Sequence, residues 1–364
     1  MKKKMTKLII VGGFLGAGKT TLLMESAKIL AAKGHRVGLI TNDQAEGLVD
    51  SVFLKQSGST VEEVSGSCFC CNFDGFVGAI RQAVSEGDCD IVIAEPVGSC
   101  TDLTATIVRP MLANHPDLVD LAPLTVLADP QRLMESLEGI DNGLHESAAY
   151  IYRKQLEDAG TILIGKSDLL DEASIGDLAA KTKSVFQDAV VAVVSSKTGQ
   201  GLEGWLETAM KSTYQGSKQM EMDYDVYAEG EAVLGWMNTE LSLVAEEAVD
   251  WDGWFRDLIV RLATEIDLNH LVVGHLKAII QNDAGSLLAN VTGRQDTLQF
   301  RGGINPGKNA TLTINARVQT EPGTLEKLVF GTFEKSIAWA GTQNVISLNT
   351  LSPGRPNPTH RIVK

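Results

Sequence analysis

Residues 13–20 read Gly-Phe-Leu-Gly-Ala-Gly-Lys-Thr, which fits the pattern G-x-x-x-x-G-K-[ST], and Cys68, Cys70 and Cys71 follow as a close set of thiols. In the first motif Gly13, Gly16, Ala17 and Gly18 let successive backbone N–H groups turn toward phosphate oxygens, where larger side chains would block the approach. Lys19 is suited to neutralise β- and γ-phosphates and Thr20 to offer its hydroxyl to Mg²⁺; Thr21 joins them at a helix N-terminus that faces the anion. In the second motif, thiolates of Cys68, Cys70 and Cys71 suit a transition metal in tetrahedral geometry. Three thiolates leave one tetrahedral position unassigned. Either a distant fourth ligand completes the site, with Cys89 and Cys100 as candidates, or the position stays open to receive and release an ion. A group of buried thiols or a redox pair is the alternative reading of the same spacing. A nucleotide motif and a metal motif within 71 residues suggest that nucleotide hydrolysis and metal handling are coupled.

The elements that must position these groups are also legible. An apolar run at 8–11 ends in Gly12-Gly13, as a buried parallel strand does. Leu22, Leu23, Ala27, Leu30 and Ala31 recur near helical spacing until Gly34 ends the element. Further candidate strands at 37–41, 91–94, 124–128, 161–164 and 190–194 alternate with amphipathic stretches. This predicts an α/β unit over 1–213, the parallel sheet of a P-loop NTPase flanked by helices. A polar segment at 214–228 reads as a linker. Beyond it, candidate strands at 232–236, 271–280, 287–292 and 311–318, with helices near 251–266 and 324–337, predict a smaller α+β domain over 229–364. That domain ends in an extended tail at 352–358. Trp236, Trp251, Trp254 and Trp339 are expected in a core.

Three more segments extend the nucleotide site. The strand at 91–94 delivers Glu95 and then Gly98 at its C-terminal end, where open α/β sheets bind ligands. Glu95 is expected to hold Mg²⁺ through water, and Gly98 to bring a backbone N–H near the γ-phosphate. The strand at 37–41 delivers Asn42-Asp43; Asp43 either orients the attacking water, supports the metal, or forms an Asx turn. Lys19, Asp43 and Glu95 are therefore the candidate catalytic set. Gly165-Lys166-Ser167-Asp168 stands close to the N-K-x-D element of GTPases, whose Asp accepts two N–H groups of the guanine edge. Adenine does not offer that pair. Ser195, Ser196 and Lys197 follow the next strand, in the style of the loop that backs the guanine carbonyl. Gly165 stands where Asn is usual and removes one base contact and a brace to the phosphate loop; the two segments in this order still point to GTP over ATP.

Composition narrows the classes. A formal net charge of −14 over 364 residues excludes general nucleic-acid binding, because no excess of Lys or Arg replaces phosphate counterions. The basic run Lys2 to Lys4 is followed by no long apolar stretch, so no signal peptide, no spanning helix, no membrane partner and a cytoplasmic location are expected. Five cysteines, three of them clustered, do not make a disulfide framework in a chain this long.

The phosphate loop, the run Gly66-Ser67-Cys68-Phe69-Cys70-Cys71, the Glu95 segment and the Lys166/Asp168 segment together resemble the CobW-type P-loop GTPases. These are relatives of the hydrogenase, urease and methylmalonyl-CoA mutase accessory GTPases. The resemblance covers residues 7–213; over the second half it rests only on an α+β arrangement. It implies a GTP-hydrolysing metallochaperone or cofactor-insertion factor, in which nucleotide binding orders the thiolate loop and hydrolysis or partner contact releases the ion. Lys19 and Thr20 match the phosphate and Mg²⁺ positions, Glu95 the acidic position, Asp168 the guanine contact, and Cys68, Cys70 and Cys71 the thiolates. The implied ligands are GTP, Mg²⁺ and Zn²⁺ or Co²⁺; the implied partners are a client metalloenzyme or corrinoid protein and a second copy of the chain.

Departures mark a divergent branch. The six histidines are not clustered, so bulk metal storage is not expected. Pro96-Val97-Gly98-Ser99-Cys100 replaces the commoner Ser-Thr-Gly, a variation associated with corrinoid-dependent methyl transfer and hence with cobalt or cobalamin loading. The loop from Asn42 to Glu95 has both ends at the nucleotide, so metal affinity is expected to differ between GTP and GDP states. Hydrolysis is expected to be slow, since no arginine is evidently placed to act in cis. Two other classes remain: a nucleotide-dependent small-molecule kinase with Asp43 as base, which leaves the thiols unexplained, and a regulatory nucleotide-binding protein that senses metal or oxidants.

Overall fold

The computed structural model describes residues 5–42, 60–64, 68–140, 143–216, 220–292 and 298–363. Eight strands form the first sheet: β1 (Thr6–Gly12), β2 (Val37–Asn42), β3 (Thr60–Val64), β4 (Ile91–Glu95), β5 (Val119–Leu121), β6 (Thr125–Ala128), β7 (Thr161–Ile164) and β8 (Val190–Val193). Their order is β3-β2-β4-β1-β6-β7-β8, with β5 beside β1, and the pairings are parallel. Continuous apolar runs such as Leu8 to Val11 suit such strands because helices cover both faces. Leu22, Leu23 and Ala27 of the helix Lys19–Ala32 pack on one face with Trp205 and Leu206. Phe73, Phe76 and Ile80 of the helix Phe73–Ser85 pack on the other with Ile151 and Tyr152. Strand order reverses across β1, with β4 on one side and β6 on the other. The crevice at the C-terminal edge therefore opens where residues 13–18 leave β1.

The second sheet is antiparallel, in the order β12-β11-β10-β13-β9-β14. It comprises β9 (Gly235–Val249), β10 (Val272–Asn282), β11 (Gly285–Val291), β12 (Gln299–Gly303), β13 (Gly307–Gln319) and β14 (Gly341–Leu351). Leu276, Ala278, Ile280, Leu312 and Ile314 share a core with the helices Trp251–Leu268 and Pro322–Ser336. Side chains alternate along a strand, so His275, Lys277, Asn315 and Arg317 occupy the opposite face. His275, Lys277 and Arg317 meet the crevice of the first sheet.

All six strands expected in the first half form, and four unexpected ones join the molecule. β3 and β5 are short, whereas β12 and β14 are rich in glycine or polar residues. β14 lies at a sheet edge, where Val345, Ile346 and Leu348 are exposed and backbone pairing with β9 supplies the order. The expected strand at 232–236 is displaced into β9, which runs on to Val249 between its neighbours β13 and β14. The segment 214–228 includes the start of the helix Tyr224–Ala232, whose Asp223 carboxylate caps the N–H groups of Asp225 and Val226. That helix packs against Glu146–Asp158 and buries Tyr227. No helix among the described residues is long and apolar enough to cross a membrane.

Trp251, Trp254 and Trp339 stack edge to face beside the second sheet. Trp236 instead joins the core of the first sheet, with the Arg317 guanidinium 4.1 Å over its ring. It therefore fastens the two sheets together. Trp236→Ala is expected to lower unfolding free energy in urea by about 3–5 kcal/mol, as loss of a large buried aromatic does; a loss under about 1 kcal/mol would show that this contact contributes little.

Candidate functional site

Gly13, Gly16 and Gly18 all adopt positive φ (136°, 79° and 97°), the region that disfavours side chains. A Cβ on Gly13 would collide with the Leu127 carbonyl, and one on Gly16 would come within 2.9 Å of the Gly274 carbonyl oxygen in the second sheet. The loop is thus held between the two sheets. Lys19 Nζ donates to the Gly13 carbonyl at 2.7 Å and lies 3.9 Å from Glu95 Oε1. Thr20 Oγ1 stands 3.1 Å from Glu95 Oε2. Both side chains are buried. A hydroxyl and a carboxylate as neighbouring hard oxygen donors fit Mg²⁺. Ala17 and Thr21 line the same cavity.

On the base side, Lys166, in the left-handed region at φ 49°, precedes a single turn at Ser167–Leu169 that presents Asp168. Ser195 Oγ donates to Asp168 Oδ1 at 2.6 Å, the Thr198 N–H donates to Ser195 Oγ, and Lys197 Nζ lies 3.7 Å from Asp168 Oδ2. Ser196 lines the cavity beside them. Lys166 Nζ pairs with Asp129 at 2.8 Å; burial alone would raise the Asp129 carboxyl, but the ammonium pulls it below the ordinary value. Gly165 has a local cause. A Cβ there would meet Leu127 Cδ1 at 3.0 Å and the Ala128 carbonyl oxygen at 3.4 Å, so an asparagine would have to displace Leu127.

Gly16, Lys19, Thr20, Glu95, Lys166 and Asp168 line one cavity of about 600 Å³, within the range of small-molecule sites. Its far wall is the polar face of the second sheet, including Lys277, Arg301 and Arg317. Two arginines from distant sequence positions, Arg301 and Arg317, reach the cavity lining; the Arg317 guanidinium donates to the Met237 carbonyl and Asn238 Oδ1, and Arg301 lies 3.8 Å from Glu25. The His275 imidazole is held well below its ordinary value by burial, reinforced by the charges of Lys277, Arg317 and Lys19, and is neutral at pH 7. Although the whole chain is acidic, this cavity gathers Lys19, Lys166, Lys197, Lys277, Arg301 and Arg317.

The thiols lie behind the phosphate end. Cys68, Cys70 and Cys71 place their sulfurs within 4.8 Å of one another, with Cys68 and Cys70 Sγ atoms 2.8 Å apart. Cys100 joins them. Hydrogen bonding from Cys100, then Cys70 and Cys71, holds the Cys68 thiol below its ordinary value. The same contacts with Cys100 and Cys68, with burial, hold the Cys70 thiol above its ordinary value. Cys89 lies elsewhere, with its sulfur on the Gly87 carbonyl beside Arg36 and Asp90.

The chain from Glu95 to Cys100 spans both centres. Gly98 packs so closely on Leu15 of the phosphate loop that a Cβ would lie 2.6 Å from Leu15 Cδ2. Gln155 Nε2 donates to the carbonyls of Gly98 and Cys100 at 3.0 and 2.8 Å, and Ser99 Oγ donates to Glu231 Oε2 at 3.0 Å. A second brace runs from the end of β2, where Asn42 Oδ1 accepts from the Phe69 N–H at 2.8 Å and Asn42 Nδ2 donates to the Val64 carbonyl. Asp43 lies outside the described residues. The tail crosses the outer side of the thiols: the Asn357 N–H donates to Cys71 Sγ, and the Thr359 N–H donates to the Cys70 carbonyl. Sequence reasoning missed Gln155, Lys277 and the contact of the tail with the thiols, and it named Asn42 only as the end of a strand and of the thiol loop, not as the brace on Phe69.

With this geometry in view, a family model of the CobW/HypB/UreG nucleotide-binding domain matches residues 7–193, and the chain belongs to that family. A protein of Pseudomonas aeruginosa described as zinc chaperone CobW is 29% identical over 219 residues, covering 52% of this chain and 56% of its own. Zinc chaperone YeiR of Escherichia coli is 28% identical over 173 residues, 45% of this chain and 47% of its own. The chain thus spans about half the length of the curated relatives it matches. Among solved structures, HypB from Helicobacter pylori in complex with nickel is 19% identical, with TM-score 0.43, covering 58% of this chain and 92% of its own. Zn(II)-bound YjiA GTPase from Escherichia coli is 14% identical, with TM-score 0.37, covering 91% and 99%.

Burial, opposed by the Ser99 hydrogen bond, pushes the Glu231 carboxyl from 4.5 up to about 8. The folded protein then keeps a proton that the unfolded chain releases, so the contribution of this group to stability falls as pH rises from about 4.5 to about 8 and is level above that. Urea unfolding of metal-free protein across this window is expected to show that decline, and Glu231→Gln to flatten it. An unchanged slope in the variant would refute the assignment.

Proposed function

We propose that this chain is a GTP-hydrolysing metallochaperone or cofactor-insertion factor, in which nucleotide state sets the affinity of a cysteine site for a transition metal. The observation that carries this reading is the buried segment from Glu95 to Cys100. Its first residue contacts Thr20 in the nucleotide crevice and its last contacts Cys68 and Cys70. Gln155 and Glu231 hold the residues between, so movement at one end reaches the other. Asn42 provides a parallel link from the nucleotide crevice to the backbone of Phe69.

In this reading Gly13, Gly16, Ala17, Gly18, Lys19, Thr20, Thr21 and Gly98 bind phosphates, and Thr20 and Glu95 hold Mg²⁺. Bound Mg²⁺ supplies charge neutralisation for the phosphates. Lys166, Asp168, Ser195, Ser196 and Lys197 take the base. Asp168 is acceptor-rich and braced by a hydroxyl and an ammonium, which suits the two adjacent N–H donors of guanine. Lys19 and Glu95, with Asp43 as the third proposed catalytic group, serve attack of water on the γ-phosphorus and loss of GDP. The cargo is Zn²⁺ or Co²⁺. Soft thiolates suit either, and relatives named as zinc chaperones favour Zn²⁺. The corresponding partner is a client metalloenzyme or corrinoid protein in the cytoplasm. The thiol site gives the small-molecule kinase reading no support.

The decisive experiment measures Zn²⁺ and Co²⁺ affinity of the nucleotide-free, GTP-analogue and GDP forms. A difference between the nucleotide forms is expected, and reciprocal change of nucleotide affinity by metal must match it; equal affinities in all three would remove the coupling. Cys70→Ala is expected to weaken metal at least by the 10–100-fold that loss of outer-shell partners costs. Asp168→Asn is expected to shift preference from GTP toward xanthosine triphosphate, whose 2-oxo group accepts from the amide. Retained GTP preference in that variant would place base recognition elsewhere.

A further inference from the structure

Lys277 reaches from the second sheet to Thr20 of the first. It sits at the middle of β10, where Leu276 and Ala278 on either side turn into the hydrophobic core and Lys277 alone of the three faces the crevice. Its Nζ donates to Thr20 Oγ1 at 3.2 Å, and that hydroxyl lies 3.1 Å from Glu95 Oε2. Lys19 approaches the same carboxylate from the phosphate loop, at 3.9 Å. Two ammonium groups from different sheets thus flank one hydroxyl and carboxylate pair.

The backbone around Lys277 is held tightly against the loop. The Gly274 carbonyl contacts the Gly16 region, Leu15 packs on Gly274, and Lys166 Nζ donates to Thr292 Oγ1 at 3.3 Å. Such a clamp fixes the distance from β10 to the phosphate end. Lys19 and the loop N–H groups approach a bound polyphosphate from the β1 side. A cation from the opposite wall, beside Thr20, meets the phosphate that projects furthest from the base.

We propose that Lys277 recognises the terminal phosphate of a bound nucleoside triphosphate, making the second sheet the element that distinguishes triphosphate from diphosphate. The inference rests on the nucleotide-binding reading above but on neither the base preference nor the metal. A triphosphate adds its terminal anion to the surroundings of the Lys277 ammonium and holds the second sheet on the crevice. A diphosphate leaves that position to water and Thr20.

Calorimetric titration of the full chain with Mg²⁺ plus a non-hydrolysable GTP analogue, and separately with GDP, tests this in wild type, Lys277→Gln and Lys277→Arg. The glutamine retains a donor toward Thr20 without the charge. It is expected to weaken triphosphate binding about 10–100-fold, the scale of a lost charge-assisted hydrogen bond, while GDP affinity stays within about twofold; arginine is expected to restore most of the loss. Equal losses for both nucleotides, or no loss for either, overturn the proposal and leave Lys277 a tether between sheets, which the accompanying thermal melts would register. Wild type that binds both nucleotides without hydrolysing GTP sinks the hydrolase reading and leaves this comparison valid. Wild type that binds neither sinks both.

Discussion

The short buried run from Glu95 to Cys100 is the constraint around which the molecule is arranged. It leaves β4 in the phosphate crevice and arrives among thiols, and its polar backbone has to be satisfied in the interior. Gln155 serves two of its carbonyls, and Ser99 is fixed by Glu231. Burial of Tyr227 and Glu231 behind it explains why the helix Tyr224–Ala232 belongs with the first sheet. The run is thus braced by side chains of two helices between Glu95 and Cys100.

Charge is distributed with the same economy. A chain of net charge −14 concentrates cations in a single crevice. Half of them come from the second sheet, whose two faces have opposite characters. The face of Leu276, Ala278 and Ile280 builds a core with two helices, and the alternate face brings Lys277 and Arg317 to the phosphate loop. His275 remains neutral among these charges. A neutral imidazole adds no further repulsion to a wall already rich in ammonium and guanidinium groups. The second sheet therefore forms part of the wall of the cavity that the phosphate loop lines.

Much of this was legible because local pattern and local chemistry coincided. The run at 8–11, the glycines and the helical spacing after Lys19 all refer to residues adjacent in the chain, and periodicity reports burial on a parallel strand directly. The strands that escaped notice have the opposite character. β14 presents Val345, Ile346 and Leu348 outward, and it is ordered by hydrogen bonds to β9 that its own side chains do not announce. Gly165 illustrates a middle case. Its presence is plain in the sequence, but its reason, the space taken by Leu127 from β6, is visible only in three dimensions.

The sequence by itself determined the phosphate loop, the parallel sheet that presents it and the close set of Cys68, Cys70 and Cys71, because each depends on residues near one another in the chain. Tertiary structure set Cys100 beside Cys68 and left Cys89 on the Gly87 carbonyl, brought the tail across Cys71, and set Lys277 on Thr20, 257 positions away. Such choices turn on how separate elements pack. Packing is fixed by the shape and burial of whole faces, and a motif carries no record of which distant face will meet it.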